Sequence, residues 1–120
     1  MDQTFVDNLI QELRRGLVSL AVLNLLREEQ YGYSVLKQLA DLGLEVDQGT
    51  LYPLLRRLEA QNMLESRWHL EGSRPRRYYV TSPQGNEALP RLRSEWNQMV
   101  AIMQPIVADK TTDNRKEITK

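Results

Sequence analysis

Residues 49–59 read GTLYPLLRRLE and place leucines at positions 51, 54, 55 and 58. Spacings of three and four residues put these leucines on one face of a helix. Asp47 precedes the stretch and is a typical N-cap residue, so we predict a helix from Gln48 to about Asn62. Pro53 falls in its second turn, where the missing backbone hydrogen bond predicts a local kink. The stretch is therefore an amphipathic helix whose first turn carries small and polar residues.

Two further helical patterns precede this stretch. Leucines at positions 9, 13 and 17 recur at helical spacing, and residues 17–26 are apolar at nearly every position. We predict a first helix that is amphipathic at its start and buried on all sides at its end. A second helix is predicted over residues 32–42, with Val35, Leu36 and Leu39 on its inner face and Gly43 as its stop. The helix over residues 49–59 is then the third.

The pattern changes after the third helix. Leu64, Ser66, Trp68 and Leu70 alternate with charged or imidazole side chains, which is typical of a strand. Residues 71–75, EGSRP, are rich in turn formers, and residues 76–81, RRYYVT, are suited to a returning strand. We predict a β-hairpin with a five-residue loop.

A long helix is predicted after the hairpin. Thr81 and Gln84 have the spacing of a capping box, and Pro83 fits the first turn. Apolar residues then recur at heptad spacing, which favours pairing with another helix. These residues are Leu89, Leu92, Trp96, Met99, Met103 and Ile106. Pro90 predicts a kink and Pro105 predicts fraying beyond it.

The order of these elements indicates the fold class. Two short helices separated by a turn, followed by a two-stranded ribbon, are typical of a winged helix-turn-helix. The fold class is therefore mainly α with a β-hairpin wing and a long C-terminal helix. We divide the chain into a DNA-binding domain (1–81), a dimerisation helix (82–108) and a flexible polar tail (109–120).

The composition excludes several functional classes. The chain has 120 residues, which fits a single domain, and contains no cysteine and one histidine, His69. Thiol chemistry, disulfides and multi-histidine metal sites are therefore excluded. We find no phosphate-binding loop and no nucleophile–base pair, so we expect no catalytic residues and no cofactor. No apolar run approaches the length of a membrane span and no basic leader is present, so we expect a soluble cytoplasmic protein.

The net charge of zero conceals a segregation along the chain. Residues 1–47 carry 8 acidic and 4 basic residues, whereas residues 48–81 carry 3 acidic and 6 basic residues. A neutral total excludes a protein that coats nucleic acid by bulk charge. The positive middle segment is where we expect a nucleic-acid site.

The chemistry of that segment suits DNA. The third helix of a winged helix offers its first turn to the major groove, which here carries Gln48, Gly49, Thr50 and Tyr52. Gln pairs with the adenine edge, and Thr can donate, accept or touch a thymine methyl. Arg56 and Arg57 follow one or two turns later in the helix, from where we expect them to reach phosphates. Arg74, Arg76 and Arg77 place three guanidinium groups in the wing, where phosphate contacts position a protein without reading sequence.

The chain resembles the PadR family of transcriptional regulators. The resemblance is carried by residues 49–59, by YGY at 31–33, by RRYYVT at 76–81 and by Gly85. A short chain with a single C-terminal helix is similar to the family's small subfamily. The resemblance implies a homodimeric repressor that binds double-stranded DNA. In some members of the family a small planar aromatic effector releases the repressor from the DNA.

The resemblance also implies roles for individual residues. Tyr33 and Lys37 of the second helix would contact DNA together with Thr50, Tyr52, Arg76 and Arg77. Trp96 occupies the place of an aromatic residue that stacks on planar ligands at the dimer centre. Met99, Met103 and Leu92 lie on the same helical seam. A symmetric dimer presents the third helix of each protomer on one face and would read an inverted-repeat operator.

Simpler interpretations of the same residues stay open. Helix capping and packing explain Gln48, Thr50 and Tyr52 without DNA, and pairing with Glu59 or Glu65 explains Arg56 and Arg57. Arg77 is also suited to a structural pair with a carboxylate such as Glu59, and Lys37 to a solvated surface. Dimer packing explains the Trp96 seam without a ligand. A protein-interaction adaptor that uses a winged helix without DNA binding is the alternative function.

Overall fold

The computed structural model of the chain describes residues 3–109. Its helices are α1 (Gln3–Leu25), α2 (Gly32–Asp41), α3 (Gln48–Ala60) and α4 (Pro83–Val107), and its strands are β1 (Gln30–Tyr31), β2 (Leu64–Glu71) and β3 (Arg74–Thr81). This order confirms the predicted fold class, mainly α with a β-hairpin wing and a long C-terminal helix. The predicted polar tail lies outside the described residues from position 110 onward.

The wing belongs to a three-stranded antiparallel sheet of order β1-β3-β2. Strand β1, which the sequence did not predict, pairs Gln30 with Tyr79 and Tyr31 with Tyr78. Two residues are too few to display an alternating pattern. Through β1 the wing is joined directly to the start of α2.

The hairpin loop is shorter than predicted. Glu71 pairs with Arg74 and Leu70 with Pro75, so only Gly72 and Ser73 form the loop and the expected five-residue loop is wrong. Gly72 has a φ of +65° at the first position of this two-residue turn, where glycine adopts positive φ without strain. The ribbon therefore extends further from the domain than the sequence indicated.

The hydrophobic core confirms the predicted inner faces of the helices. Leu51 and Leu55 of α3 are fully buried, and Leu54 and Leu58 are nearly so. Every residue from position 17 to 26, at the end of α1 and just beyond it, is buried or half-buried, whereas most residues of the first half of α1 are exposed. Each fully buried leucine contributes about 2 kcal/mol through removal of apolar surface from water.

Helix α4 begins with a different cap from the one predicted. It starts at Pro83, so Ser82 is the N-cap, and the Ser82 Oγ accepts a hydrogen bond from the Gly85 backbone N–H at 2.9 Å. Thr81 instead donates its hydroxyl to the Leu23 carbonyl at 2.8 Å. The predicted capping box of Thr81 with Gln84 is therefore wrong, because a tertiary hydrogen bond to α1 takes the Thr81 side chain.

The described chain divides into two compact units between Leu89 and Pro90. Helix α4 runs through Pro90 and ends at Val107, two residues after Pro105. Its second half exposes the predicted seam: the exposed fraction is 37% for Trp96, 52% for Met99 and 46% for Met103. Leu92 is half-buried.

Candidate nucleic-acid interface

The first turn of α3 is capped at its N-terminus and exposed to solvent. Asp47 is the N-cap, as predicted, and its Oδ1 accepts a hydrogen bond from the Thr50 backbone N–H at 2.8 Å. Gln48, Gly49 and Thr50 are all exposed. The polar end of α3 is therefore fixed in conformation while its side chains are free to contact another molecule.

A cleft of about 510 Å³ opens beside this turn. Arg14 and Arg15 of α1 line it together with Thr50 and Arg57 of α3, and its other lining residues include Val18 and Leu54. The sequence did not indicate Arg14 and Arg15, because they lie about one-third of the chain away from α3 and carry no motif of their own. The fold brings them beside the predicted base-contacting residue.

Two arginines of α3 carry no partner of opposite charge among residues 3–109. Arg56 and Arg57 are exposed, and none of the ion pairs in that part of the chain involves either residue. The open alternative, pairing with Glu59 or Glu65, is therefore not what the structure adopts. Both guanidinium groups are therefore without a carboxylate partner in this part of the chain.

Tyr52 contacts the protein itself. It is half-buried, and its Cε1 lies so close to Gly32 that a Cβ added there would approach it to 3.0 Å. Burial raises the pKa of the Tyr52 hydroxyl, and the nearby hydroxyls of Tyr31 and Tyr33 raise it further. The residue joins α3 to the start of α2, with part of its ring still accessible.

An aromatic cluster links α2 to the wing. The ring centroid of Tyr31 lies 6.1 Å from that of Tyr33 and 5.9 Å from that of Tyr78. The Arg76 guanidinium carbon lies 4.6 Å from the Tyr31 centroid, within the range of a cation–π contact. Tyr31 thus contacts both Tyr33, which is 43% exposed, and Arg76, the wing arginine with which the sequence grouped Tyr33. Tyr31 was not among the predicted site residues.

The outer face of the wing carries paired charges. Glu71 lies 3.5 Å from the Arg76 Nε and accepts a hydrogen bond from the Tyr78 hydroxyl, which raises the pKa of Tyr78. Glu29 accepts a hydrogen bond of 2.5 Å from the Arg67 Nε, and this bond holds the pKa of the Glu29 carboxyl below its usual value. These acids reduce the positive charge that the wing offers on that face.

The three wing arginines differ in environment. Arg74 is exposed and forms no ion pair with any residue in 3–109, whereas Arg76 and Arg77 are half-buried. Arg77 donates its Nη2 to Glu59 at 2.9 Å, as the structural alternative predicted. Lys37 on α2 is exposed, in a shallow cleft that Tyr33 also lines.

Comparison with known proteins identifies the family. Residues 22–91 match the pattern of the family described as "Transcriptional regulator PadR-like family". The chain belongs to this family. The matched region contains α2, α3 and the whole wing of this PadR-family regulator, so the resemblance indicated by its sequence motifs is confirmed.

Individual relatives agree with this assignment. The chain is 37% identical over 81 residues to transcriptional regulator Rv3488 of Mycobacterium tuberculosis, covering 67% of this chain and 76% of the relative. A solved PadR-family regulator from Eggerthella lenta is 39% identical, with a TM-score of 0.79 over 88% of this chain and 96% of that one. A regulator from Clostridium thermocellum is 27% identical, with a TM-score of 0.72 over 81% and 99% of the two chains.

The PadR-family assignment also fixes the broad functional class. The relatives are transcriptional regulators, so the chain is a regulator rather than an enzyme. Among residues 3–109 no three metal-ligating side chains gather into a candidate metal site. No helix in that range has the length and hydrophobicity needed to span a bilayer.

Proposed function

We propose that this PadR-family regulator binds a specific double-stranded DNA operator as a homodimer and represses transcription by occupying it. The observation that carries this proposal is the exposed first turn of α3, whose Thr50 lines a cleft together with Arg14, Arg15 and Arg57. Gln48 and Thr50 present side chains suited to base edges. The three arginines of the cleft outnumber its two acids, Glu45 and Asp47, so the cleft carries a net positive charge. Such a regulator would act in the cytoplasm, where its DNA lies.

The seam on α4 supports the homodimer. Trp96, Met99, Ile102 and Met103 are exposed large apolar side chains on one short stretch of helix, as are Phe5, Leu9 and Leu13 on the first half of α1. Covering these residues with the same residues of a second copy removes apolar surface from water. We therefore assign residues 82–108, together with the front of α1, to dimerisation and the rest of residues 1–81 to DNA binding. A two-fold dimer would read half-sites about 34 Å apart.

We assign two kinds of DNA contact to the site residues. Gln48, Gly49 and Thr50 would read the major groove, and Thr50→Ala would relax sequence preference with little change in salt dependence. The remaining site residues would position the protein on the DNA backbone: Arg56, Arg74, Tyr33, Lys37, Tyr52 and Arg76. Arg74→Gln would weaken binding to every sequence and lower the salt slope by about one.

Selection of bound duplexes from a random DNA pool tests this function. We expect enrichment of an inverted repeat, and binding of that sequence should fall steeply with salt because phosphate contacts release counterions. Recovery of no common sequence, together with equal affinity for operator and random duplex at moderate salt, would refute sequence-specific binding.

We further propose that a planar aromatic effector releases the DNA by binding at the α4 seam. The accessible indole of Trp96 and the polarizable side chains of Met99 and Met103 favour stacking with such a ligand. The effector would act only if its affinity differs between the DNA-bound and free dimers. In a Trp68→Phe background, planar aromatic compounds should quench the remaining Trp96 fluorescence and lower operator affinity. Release of DNA that persists in Trp96→Ala would refute this site.

One observation favours the alternative, an adaptor that binds another protein through its wing. Trp68 is 65% exposed and Leu70 is 76% exposed, and both lie on the ribbon rather than on the α4 seam. A gel-shift assay at low salt separates the two functions. An adaptor would leave the duplex unbound, whereas the proposed regulator would retain it.

A further inference from the structure

Three side chains form a closed hydrogen-bonded cluster at the root of the wing. The Arg77 Nη2 donates to the Glu59 Oε1 at 2.9 Å and its Nε donates to the Ser66 Oγ at 3.1 Å. The Ser66 hydroxyl in turn donates to the Glu59 Oε2 at 2.5 Å. Each member therefore contacts the other two, and all three are half-buried.

The cluster connects three elements of the DNA-binding unit. Glu59 lies in the last turn of α3, Ser66 on β2 and Arg77 on β3. Every residue of β2 after Ser66 is exposed, so the outer part of the ribbon has no core to hold it in place. The cluster is the side-chain link between the wing and α3, and it sets the direction of the ribbon together with the pairing of β3 with β1 and the Arg67–Glu29 pair.

The Arg77 guanidinium is poorly placed to meet a phosphate. Two of its nitrogens are bound to Glu59 and Ser66, and its guanidinium carbon lies 5.5 Å from the Tyr79 centroid and 5.7 Å from that of Trp68. Arg74 on the same strand is exposed and forms no ion pair within residues 3–109. The two arginines thus have the same charge, but Arg77 is bound to other side chains whereas Arg74 has no carboxylate partner in that range.

We propose that Glu59, an acid beside a DNA-binding surface, is required for operator binding because it fixes Arg77 and so sets the angle between wing and recognition helix. Glu59, Ser66 and Arg77 are then positioning residues, and Arg77 does not act as a phosphate contact. This inference rests on the proposed function and names the residues that hold the wing and α3 in the geometry that DNA binding needs. A wing held at one angle places Arg74 against the backbone only when α3 is in its groove, which favours the operator over random DNA.

Removal of the Glu59 charge tests the proposal, because the two explanations predict changes of opposite sign in DNA affinity. Simple electrostatics predicts that loss of an acid near DNA tightens binding to any duplex. The cluster predicts the reverse for the operator: Glu59→Gln should weaken it about tenfold, the size expected when charge-assisted hydrogen bonds are lost. Binding of random duplex should stay equal or become tighter. Glu65→Gln removes the same charge from an exposed position on β2 and should leave operator affinity equal or tighter.

Titrations of the full-length variants with operator and random duplex supply this measurement. Wild-type protein is measured first, because absence of operator preference there refutes the proposed function and this inference with it. If wild-type protein prefers its operator, a Glu59→Gln variant that binds as tightly as wild type overturns the cluster alone. Ser66→Ala keeps both charges and should show a smaller loss in the same direction, which covers the case in which Glu59→Gln fails to fold.

The salt dependence separates positioning from phosphate contact. Arg77→Gln should lower operator affinity without changing the salt slope, and adding Glu59→Gln to it should produce no further loss. Arg74→Gln should lower the slope by about one. A reduced slope in Arg77→Gln, with losses that add to those of Glu59→Gln, would show that Arg77 contacts phosphate and would overturn the proposal.

A measurement without DNA tests the same cluster independently of the proposed function. Trp68 pairs with Arg77 across the ribbon, so its indole reports on the cluster once Trp96→Phe removes the other tryptophan. Glu59→Gln should speed the local motion of Trp68 in time-resolved fluorescence anisotropy, whereas Glu65→Gln should not. Equal anisotropy decays for the two variants would contradict a positioning role.

Discussion

Helices α3 and α4 both carry apolar residues three and four positions apart, but these residues are buried in α3 and mostly exposed in α4. Leu51 and Leu55 of α3 are fully buried within the chain, whereas Met99 and Met103 of α4 are about half exposed. The pattern of three and four residues shows which face of a helix is apolar. It does not show what covers that face: one face here is covered by the chain itself, while the other is exposed.

The largest expected effect comes from the covered face. Leu55→Ala should lower the free energy of unfolding by about 2–5 kcal/mol, because it leaves a cavity that the packed core only partly fills. Denaturant unfolding measures this loss. It should be the same at every protein concentration if α3 packs only within its own chain. A loss that shrinks as the protein is concentrated would break the comparison.

The exposed face should respond to concentration instead. Met103→Glu would bury a charge in a dimer seam, and we expect the dimer to dissociate at protein concentrations at least tenfold higher than for wild type. Sedimentation equilibrium measures the change. Gln98→Glu introduces the same charge at an exposed position of the same helix and should leave dimerisation unaltered. Equal behaviour of the two variants would show that the seam is not the interface.

The first turn of α3 shows a third situation, since it is exposed but fixed by its own cap. Asp47→Ala should lower the free energy of unfolding by about 1 kcal/mol through loss of the hydrogen bond to the Thr50 backbone N–H. It should also reduce operator affinity, because the turn that presents Gln48 and Thr50 loosens. Glu45→Ala, in the same loop, is the matched control for lost charge. If Asp47→Ala is as stable as wild type, the Asp47 cap does not stabilise the fold.

The smallest effect is expected on the outer face of the wing, where exposed charges are partnered within the chain. The pKa of Glu29 is lowered by the Arg67 hydrogen bond, so this pair stabilises the fold above the usual carboxyl pKa. That contribution is lost as the pH falls through the lowered pKa. Arg67→Gln should therefore be slightly less stable than wild type near neutral pH and equal to it once the pH lies below the lowered pKa of Glu29. A difference that persists in acid would contradict this pairing, and Arg74→Gln serves as the unpaired control.

Much of the fold followed from periodicity, because a helix or strand with one buried face displays its period in the sequence. The inner face of α3, the Asp47 cap and the order of elements were predicted in this way. The hairpin loop was misjudged because Gly72 and Pro75 both suggested a turn. Pro75 is tolerated within β3 because β1 pairs only with Tyr78 and Tyr79, which leaves that edge of β3 open at Pro75.

The candidate site was predictable where it is local and hidden where it is tertiary. Gln48 and Thr50 occupy one helical turn, so their exposure together could be expected from the sequence. Arg14 and Arg15 reach the same cleft only because α1 folds beside α3, and no local pattern marks them. The partner of Arg77 was foreseen as one alternative, but Ser66 completes the cluster through strand register, which a misjudged loop obscures.

The hydrogen bonds of Thr81 bear on the order in which the molecule folds. Its N–H reaches the Leu26 carbonyl at 2.7 Å and its hydroxyl reaches the Leu23 carbonyl, 58 residues earlier in the chain. Closing so long a loop carries an entropic penalty that helices and a two-residue hairpin avoid. We expect α3 and the ribbon to form quickly as separate pieces and the docking of the ribbon onto α1 to come late. The contact of the ribbon with α1 should therefore form after the cluster of Glu59, Ser66 and Arg77, whose members lie at most 18 residues apart.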